Sequence, residues 1–509
     1  MFILFLVLHL TSCLLSTLAT TTTTTTTTTT CNDRRPTSDQ RRFISTTVDT
    51  HIAAVVKDLQ VQNHTLLACV FANTLPNTLD TTVLQAATTP NDTSFVITGD
   101  INAMWLRDSM NQVLPYMSFA KQDPHLQQML AGIVNQQTLL ILADPWANAH
   151  NLPNLAGSSP NVNDQTTYPG FGPSRSNAMV PGIYERKYEL DTLCAFLKIS
   201  RTYYEATSDL VPFQNAQWIE AVRAVVTVMK DMQEPTSVAY VQAGGATYQF
   251  QRQATEPTDT LLHGVGHPGA FTGMIRSAFR PSDDATTFPF LVPANAMAVV
   301  ELRKAAAVVQ ALTSRGERLS NDVKELNDLA NVIDHGIQTY GIGYHPTTGK
   351  KMYAYEVDGY GNMYFADDAN VPSLLSLPYL GYVKASDPVY AATREFVWST
   401  QNPWFFSGKA GEGIGGPHVG FNSIWPMSII MKALTTDDTT EIQACLMTLL
   451  EATASTGLMH ESFDKDDSSS YTRPWFAWAN SLFGELIMKV YSEEQHRGFL
   501  YNAKRISVQ

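Results

Sequence analysis

From residue 36 to near the end of the chain, apolar residues recur at i, i+3 and i+4 through segments of helical length, about twelve times. The segments are roughly Pro36–Leu59, Ala103–Ser118, Pro124–Asp144, Glu185–Ala206, Pro212–Gln233, Pro289–Ala311, Leu319–Tyr340, Val371–Val383, Asp387–Ser399, Asn422–Leu434, Asp437–Ala454 and Arg473–Tyr491. Several open on Pro or on a capping Asp, Asn or Ser, as helix starts should. A weaker candidate covers Leu66–Leu75. Strand signals are short and lie between helices: Ser94–Thr98, Val238–Gln242, Thr247–Gln251 and a hairpin across Lys351–Phe365. There is no βαβ alternation and no Gly-rich phosphate loop, which argues against a parallel-sheet nucleotide fold. The pattern predicts one mostly helical domain over residues 37–509.

The first 36 residues are of a different kind. Residues 1–20 are apolar and end in small side chains, as a secretory signal does. An uncleaved anchor is the rival reading, but Thr11 and Ser12 interrupt the run before it reaches membrane-spanning length; secretion is expected, with no stable membrane insertion after cleavage. Residues 21–36, mostly an unbroken threonine tract, cannot bury apolar surface and read as disordered. The sequons Asn63-His64-Thr65 and Asn91-Asp92-Thr93 fit the same route, to secretion or the secretory lumen. Of the cysteines beyond the signal, Cys194 and Cys445 sit in apolar helical patterns, leaving room for one bridge, Cys31–Cys69. A net charge of −13 with no basic run argues against a nucleic-acid partner.

Polar, Gly/Pro-rich segments precede every second helix: 98–109, 181–191, 279–284, 358–370, 415–426 and 459–472. In an up-and-down helical array alternate helices run parallel, so these six loops converge on one end of a barrel. Exposed N–H groups and positive helix ends there favour carboxylates and sugar oxygens.

Those loops carry the side chains that sugar chemistry needs: carboxyls for proton transfer and flat apolar faces for a ring to lie against. In GDINAMWLRDS, Asp100, Arg107 and Asp108 bracket Trp105; the plainer reading is an Arg–Asp pair capping a helix above a core Trp. Asp283 and Asp284 are adjacent, as are Asp367 and Asp368; adjacent side chains diverge, and helix capping accounts for either pair equally well. His263, His267, His418 and His460 lie in polar or Gly/Pro-rich loops without HxH, HExxH or Cys-His spacing, so hydrogen bonding to hydroxyls is expected and metal is not. Tyr360 lies between glycines in a loop. Trp475 and Trp478, three apart on one helical face, read equally as core.

The segments TGDINAMWLRDS, DPWANAH, YERKYELDTLC, HGVGHPGAFTGMIRSAFRPSDDAT, YEVDGYGNMYFADDANVPSLLSLPYLGY, GPHVGFNSIWPMSI and GLMHESFDKDD…YTRPWFAWANSLFGEL together resemble glycoside hydrolase family 125, from about Phe43 to Val490. That family comprises metal-independent exo-α-1,6-mannosidases. The resemblance implies an (α/α)6 barrel with short β-hairpins in its loops, and inverting hydrolysis of terminal non-reducing α-1,6-linked mannose from a glycan, without cofactor. Carried over by motif, Glu461 of HESF is the general base, and Asp283 or Asp284 of RPSDDA the general acid. Asp100, Trp105, Arg107, Asp108, His263, His267, Tyr360, Asp367, Asp368, His418 and Arg473 are candidates for binding the sugar.

An inverting acid must hold its proton at working pH, so burial or a neighbouring carboxyl should raise its pKa. The second Asp of the pair, or Asp367–Asp368, is the expected neighbour. Three rivals stand beside this reading. One is an (α/α)6 glycosidase acting on α-glucosides, and another a glycan-binding protein without activity. The third, a Mg²⁺-diphosphate cyclase, is opposed by the lack of a further acidic residue one turn beyond SDDAT and ADDAN.

Overall fold

The computed structural model describes residues 31–152, 182–237, 248–313 and 319–493. The apolar leader, most of the threonine-rich segment and the expected strand Val238–Gln242 lie outside them. The α-helices are α1 Thr46–Val61, α2 Thr65–Thr74, α3 Asn77–Thr81, α4 Leu106–Val113, α5 Pro124–Ala143, α6 Leu190–Thr207 and α7 Ala216–Asp231. They continue as α8 Val292–Thr313, α9 Ser320–Tyr340, α10 Leu377–Leu380, α11 Pro388–Val397, α12 Pro426–Leu434, α13 Thr439–Ala452 and α14 Ala477–Ser492. Helices α4, α6, α8, α10, α12 and α14 form the inner ring of an (α/α)6 barrel. Around it α4 packs on α6, α6 on α8, α8 on α10, α12 on α14 and α14 back on α4. Outer helices back them: α5 lies against α6, α9 against α8, and α13 against α12. One continuous apolar cluster, from Phe43 to Val490, joins the layers.

Every inner helix is entered from the same end, and short strands stitch the entries together. Strands Ala103–Trp105, Ala149–Asn151 and Ile183–Glu185 pair antiparallel and join the entries to α4 and α6. Phe290–Leu291 pairs with Glu356–Val357, which pairs with Met363–Tyr364, linking α8 to the approach to α10. Ser423–Ile424 pairs with Ser462–Asp464, and that with Asp467–Thr472, joining α12 to α14. Between these sheets a Glu189–Phe279 bridge, an Ala369 N–H to Gly415 C=O bond and an Arg473–Asp100 ion pair close the circle.

This stitching explains where the helical pattern misleads. Inner helices begin three to six residues later than their periodicity suggests, because strands or turns take the first residues: α4 at Leu106 rather than Ala103, α6 at Leu190 rather than Glu185, α10 at Leu377 rather than Val371. In the expected helix Ala103–Ser118, Pro115 lacks the N–H that an α-helix requires, and the chain tightens to a 3₁₀ helix over Leu114–Gln122. In Val371–Val383 only Leu377–Leu380 is α-helical. Pro372 and Pro378 remove two donors, and Gly381, at φ 83°, ends the turn. The first helix starts at Thr46, not Pro36, because Ser45 caps it by accepting from the Val48 N–H. Leu66–Leu75 proves helical, as α2.

The strand expectations fare unevenly. Ser94–Thr98 contains the strand Phe95–Val96, whereas the described part of Thr247–Gln251 contains none. Lys351–Tyr353 pairs backward with Ile342–Tyr344, so the hairpin is confined to Glu356–Tyr364. Cys31 and Cys69 form a disulfide, and Cys194 and Cys445 are free and buried. Among the described residues no helix is long and apolar enough to cross a membrane.

Candidate active site

The inner-helix entries surround a hollow enclosing about 410 Å³, counted to its open mouth. It continues into a wider space of about 1300 Å³, with Ile101, Trp105, Asp283, His418 and Arg473 common to both. Trp105, Trp425, Phe476 and Trp478 give the hollow aromatic walls, and Arg107, Asp108, Asn370 and Glu461 give it polar ones. Trp425 and Phe476 meet edge to face at 6.2 Å, while the Arg107 guanidinium lies 5.8 Å from the Trp478 ring centre. A sugar, apolar on its ring faces and polar at its rim, matches such a lining.

Glu461 lies immediately before the strand Ser462–Asp464, fixed by its sheet. Arg473, turned by a positive φ of 53°, holds Glu461 Oε1 at 3.1 Å through Nε and Asp100 Oδ1 at 2.6 Å through Nη1. His460 sits under this turn, stacked on Tyr471 at 3.7 Å, its Nδ1 2.9 Å from the Arg473 carbonyl oxygen.

Asp283 enters from the tight turn Arg280–Asp284. Its N–H donates to the Arg280 carbonyl at 2.9 Å, the Arg280 N–H donates to the Asp284 carbonyl at 2.7 Å, and Asp283 adopts φ 68°. The buried Arg280–Glu356 ion pair, 2.7 Å, anchors the turn. This geometry sends the two aspartates different ways. The Asp283 side chain is 22% exposed and lines both spaces. The Asp284 side chain is 6% exposed, accepts from Ser282 Oγ at 2.7 Å and faces His418 Nδ1 at 3.6 Å. Burial opposes its charge, yet His418 and Ser282 hold the Asp284 carboxyl below the usual range. Burial likewise disfavours a charged His418, but Asp284, Asp283 and Glu461 raise its imidazole to about 9.

A second group of charges surrounds Asp283. Arg107 Nη2 lies 3.3 Å from Asp283 Oδ1, and its Nη1 is bonded to Glu189 Oε2. Asn148 Nδ2 donates to Glu185 Oε2 at 2.9 Å, Glu189 Oε1 at 3.1 Å and Asp283 Oδ1 at 3.2 Å. Lys187 Nζ donates to the Asp283 carbonyl oxygen at 2.7 Å. Asp108 accepts from Thr98 Oγ1 at 3.0 Å, and burial raises its carboxyl.

Of the residues singled out in the sequence, Trp105, Arg107, Asp108, Asp283, His418, Glu461 and Arg473 line the hollow. Asp100 stands at its rim through Arg473. The others are placed elsewhere. Asp367 is fully buried and accepts from the Leu374 and Leu375 N–H groups at 2.8 and 2.9 Å; burial lifts its carboxyl to about 8. Asp368 is buried beside Asn370 and Gly416. His263, His267 and Tyr360 are exposed and line neither space. The carboxyl that shares Asn148 and Arg107 with Asp283 is neither Asp284 nor one of the Asp367–Asp368 pair but Glu189. Glu189, Asn148, Glu185 and Lys187 lie in DPWANAH and YERKYELD. The signal for Glu185, Lys187 and Glu189 is a run of mixed charges directly before a helix, which ordinary capping also explains, and Asn148 carries none.

A sequence-family model described as metal-independent α-mannosidase (GH125) matches residues 64–488. The meiotically up-regulated gene 157 protein of Schizosaccharomyces pombe is 43% identical over 474 residues, covering 91% of this chain and 89% of its own. A Streptococcus pneumoniae member of a family of metal-independent α-mannosidases, solved as a non-productive complex with α-1,6-mannobiose, is 35% identical. It superimposes with a TM-score of 0.78, covering 88% of this chain and 99% of its own. A bacterial glucoamylase in complex with acarbose shares the fold alone, at 11% identity and a TM-score of 0.50, covering 85% of this chain and 57% of its own.

Proposed function

Because the chain belongs to glycoside hydrolase family 125, the metal-independent α-mannosidases, we propose that it removes terminal, non-reducing α-1,6-linked mannose with inversion at the anomeric carbon. The observation that carries this reading is that Glu461 and Asp283, from different inner-helix entries, line one aromatic-walled hollow. The terminal mannose occupies the hollow, and the rest of the glycan the wider space. Asp283, at the junction of the two, gives a proton to the glycosidic oxygen as that bond breaks. Glu461 takes a proton from the water that attacks the opposite face. Asp283 is preferred to Asp284 as the donor because the Asp284 carboxyl is turned to His418 and Ser282. Arg473 and His418, common to both spaces, grip hydroxyls on either side of the scissile bond.

The test is free-mannose release from α-1,2-, α-1,3- and α-1,6-mannobiose, with an α-1,6-linked glucosyl disaccharide alongside. Rapid cleavage of the α-1,6-mannobiose alone supports the assignment. Preference for the glucosyl compound or another mannosyl linkage overturns it.

We also infer that the protein matures in the secretory pathway. The Cys31–Cys69 disulfide fits an oxidising compartment, and Asn63 and Asn91 are both exposed, as glycan acceptors must be. Endoglycosidase treatment of protein from eukaryotic cells should increase its electrophoretic mobility. An unchanged band would contradict glycosylation at these sites.

A further inference from the structure

The wall that carries Asp283 holds more buried negative charge than its cations can balance. The Arg107 guanidinium alone faces Glu189, Asp283 and Asp108, both aspartates at 3.3 Å, and Asp191 at 3.6 Å. Lys187 is engaged by Glu185 at 3.5 Å and Asp259 at 2.7 Å, Arg252 by the same two carboxylates, and His418 by Asp284. Four carboxyls, three of them buried, crowd the Arg107 guanidinium, and the cost of ionising all four favours a proton staying in the group. Its place is marked by contact. The Glu189 and Asp283 carboxyls converge on the same two donors: Asn148 Nδ2 lies 3.1 Å from Glu189 Oε1 and 3.2 Å from Asp283 Oδ1, and Arg107 bonds Glu189 Oε2 through Nη1 and reaches Asp283 Oδ1 through Nη2 at 3.3 Å.

We propose that Glu189 is the positioning partner of the acid. Glu189 and Asp283 hold one proton between them, which rests on Glu189 in the empty site and passes through Asp283 to the glycosidic oxygen. This rests on Asp283 being the acid. Burial keeps the Glu189 carboxyl well above the ordinary range. Burial opposes charge on Asp283 too, but Arg107, the neighbouring Glu189, Lys187 and His418 outweigh it and hold that carboxyl low. A sugar that covers the exposed part of Asp283 raises the cost of its charge and draws the proton across. The Glu189 O–H then breaks as the Asp283 O–H forms. That bond breaks in turn as the leaving oxygen gains the proton and the C–O electron pair. Water bonds to the anomeric carbon and gives a proton to Glu461. The enzyme ends with one proton gained on Glu461 and one lost from the pair, and exchange with solvent restores both.

The test is the pH dependence of kcat/KM for Glu189→Gln, which keeps the size of the side chain but carries no transferable proton. Two substrates are needed: α-1,6-mannobiose and 2,4-dinitrophenyl α-mannoside, whose leaving group departs without protonation. The expected result for mannobiose is a loss of about 10²-fold at neutral pH, with the alkaline limb moved down by about one unit or more. The aryl mannoside should stay within about threefold. An unmoved limb, or equal losses on both substrates, would leave Glu189 a merely structural group and overturn the proposal. Glu189→Asp, which restores a proton on a shorter arm, should return the limb toward wild type; failure to do so also counts against it. Asp283→Asn keeps the two ideas separate. Losing mannobiose while keeping the aryl mannoside supports Asp283 as the acid whatever Glu189 does, and equal effects on both remove the premise instead.

Discussion

The Nε of Arg473 lies 3.1 Å from Glu461 Oε1, and the same guanidinium reaches across the mouth of the hollow to Asp100. One side chain thus holds Glu461 and clips the entry to α14 onto the entry to α4. Replacing Glu461 with Gln keeps the shape but removes the capacity to take a proton from water. Turnover of α-1,6-mannobiose should fall roughly 10³-fold, with thermal unfolding close to wild type. A variant with more than a tenth of wild-type activity would place the base elsewhere.

Asp283→Asn and Asp284→Asn should separate cleanly although the residues are neighbours. The first removes the acid and should cost roughly 10³-fold in kcat on mannobiose. The second leaves the acid in place and loosens His418, so its loss should be about tenfold or less. Steady-state kinetics on the two variants decides it, and the reverse order would exchange their roles.

The His418–Asp284 pair makes a stability prediction. The imidazole is raised from 6.5 to about 9 in the folded protein. A group raised on folding contributes stability that is complete below about 6.5 and is lost as pH climbs through about 9. Asp284, held low, contributes from the acid side: its share is lost only as pH falls through its depressed value. The Tm difference between wild type and His418→Gln should therefore shrink between about pH 6.5 and 9. A constant difference across that window would mean that the ring is not charged in the folded protein.

Gly132 in α5 tests the packing. A Cβ there would meet Ala87 Cβ and Ser94 Oγ at 2.4 Å, and the Ser94 N–H donates to the Gly132 carbonyl. Alanine favours a helix by about 1 kcal/mol over glycine, whereas forcing a methyl into this contact costs roughly 1–3 kcal/mol, so Gly132→Ala should destabilise. Denaturant unfolding measures it, and a gain in stability would contradict the contact.

The barrel was legible because its signal is local. Apolar periodicity marks the helices, and the placing of polar loops before alternate ones marks the face that carries the chemistry. Glu461, Arg107, Asp108 and Arg473 followed because each lies in a loop entering an inner helix or in the first turn of that helix. What could not be read depends on a turn or on a distant partner. Adjacent aspartates diverge, but only the positive φ of Asp283 decides which one faces the hollow. Asp367 looks like a site residue in sequence yet spends both oxygens on the N–H groups of Leu374 and Leu375, in the turn before α10, and so neither lines the hollow nor caps the helix. The glycines around Tyr360 mark an exposed turn, where it is 62% accessible. Glu189 matters through Arg107, Asn148 and Asp283, three residues from three other segments, and no spacing announces that meeting.

The most direct measurement is the anomeric proton spectrum recorded by NMR during hydrolysis of α-1,6-mannobiose. If Asp283 and Glu461 act from opposite faces of one mannose, with water attacking from the Glu461 side, β-mannose appears first and the α-anomer grows only at the rate of mutarotation. Early α-mannose would mean that the configuration is retained, and would contradict the assignment of Glu461 as a base acting on water.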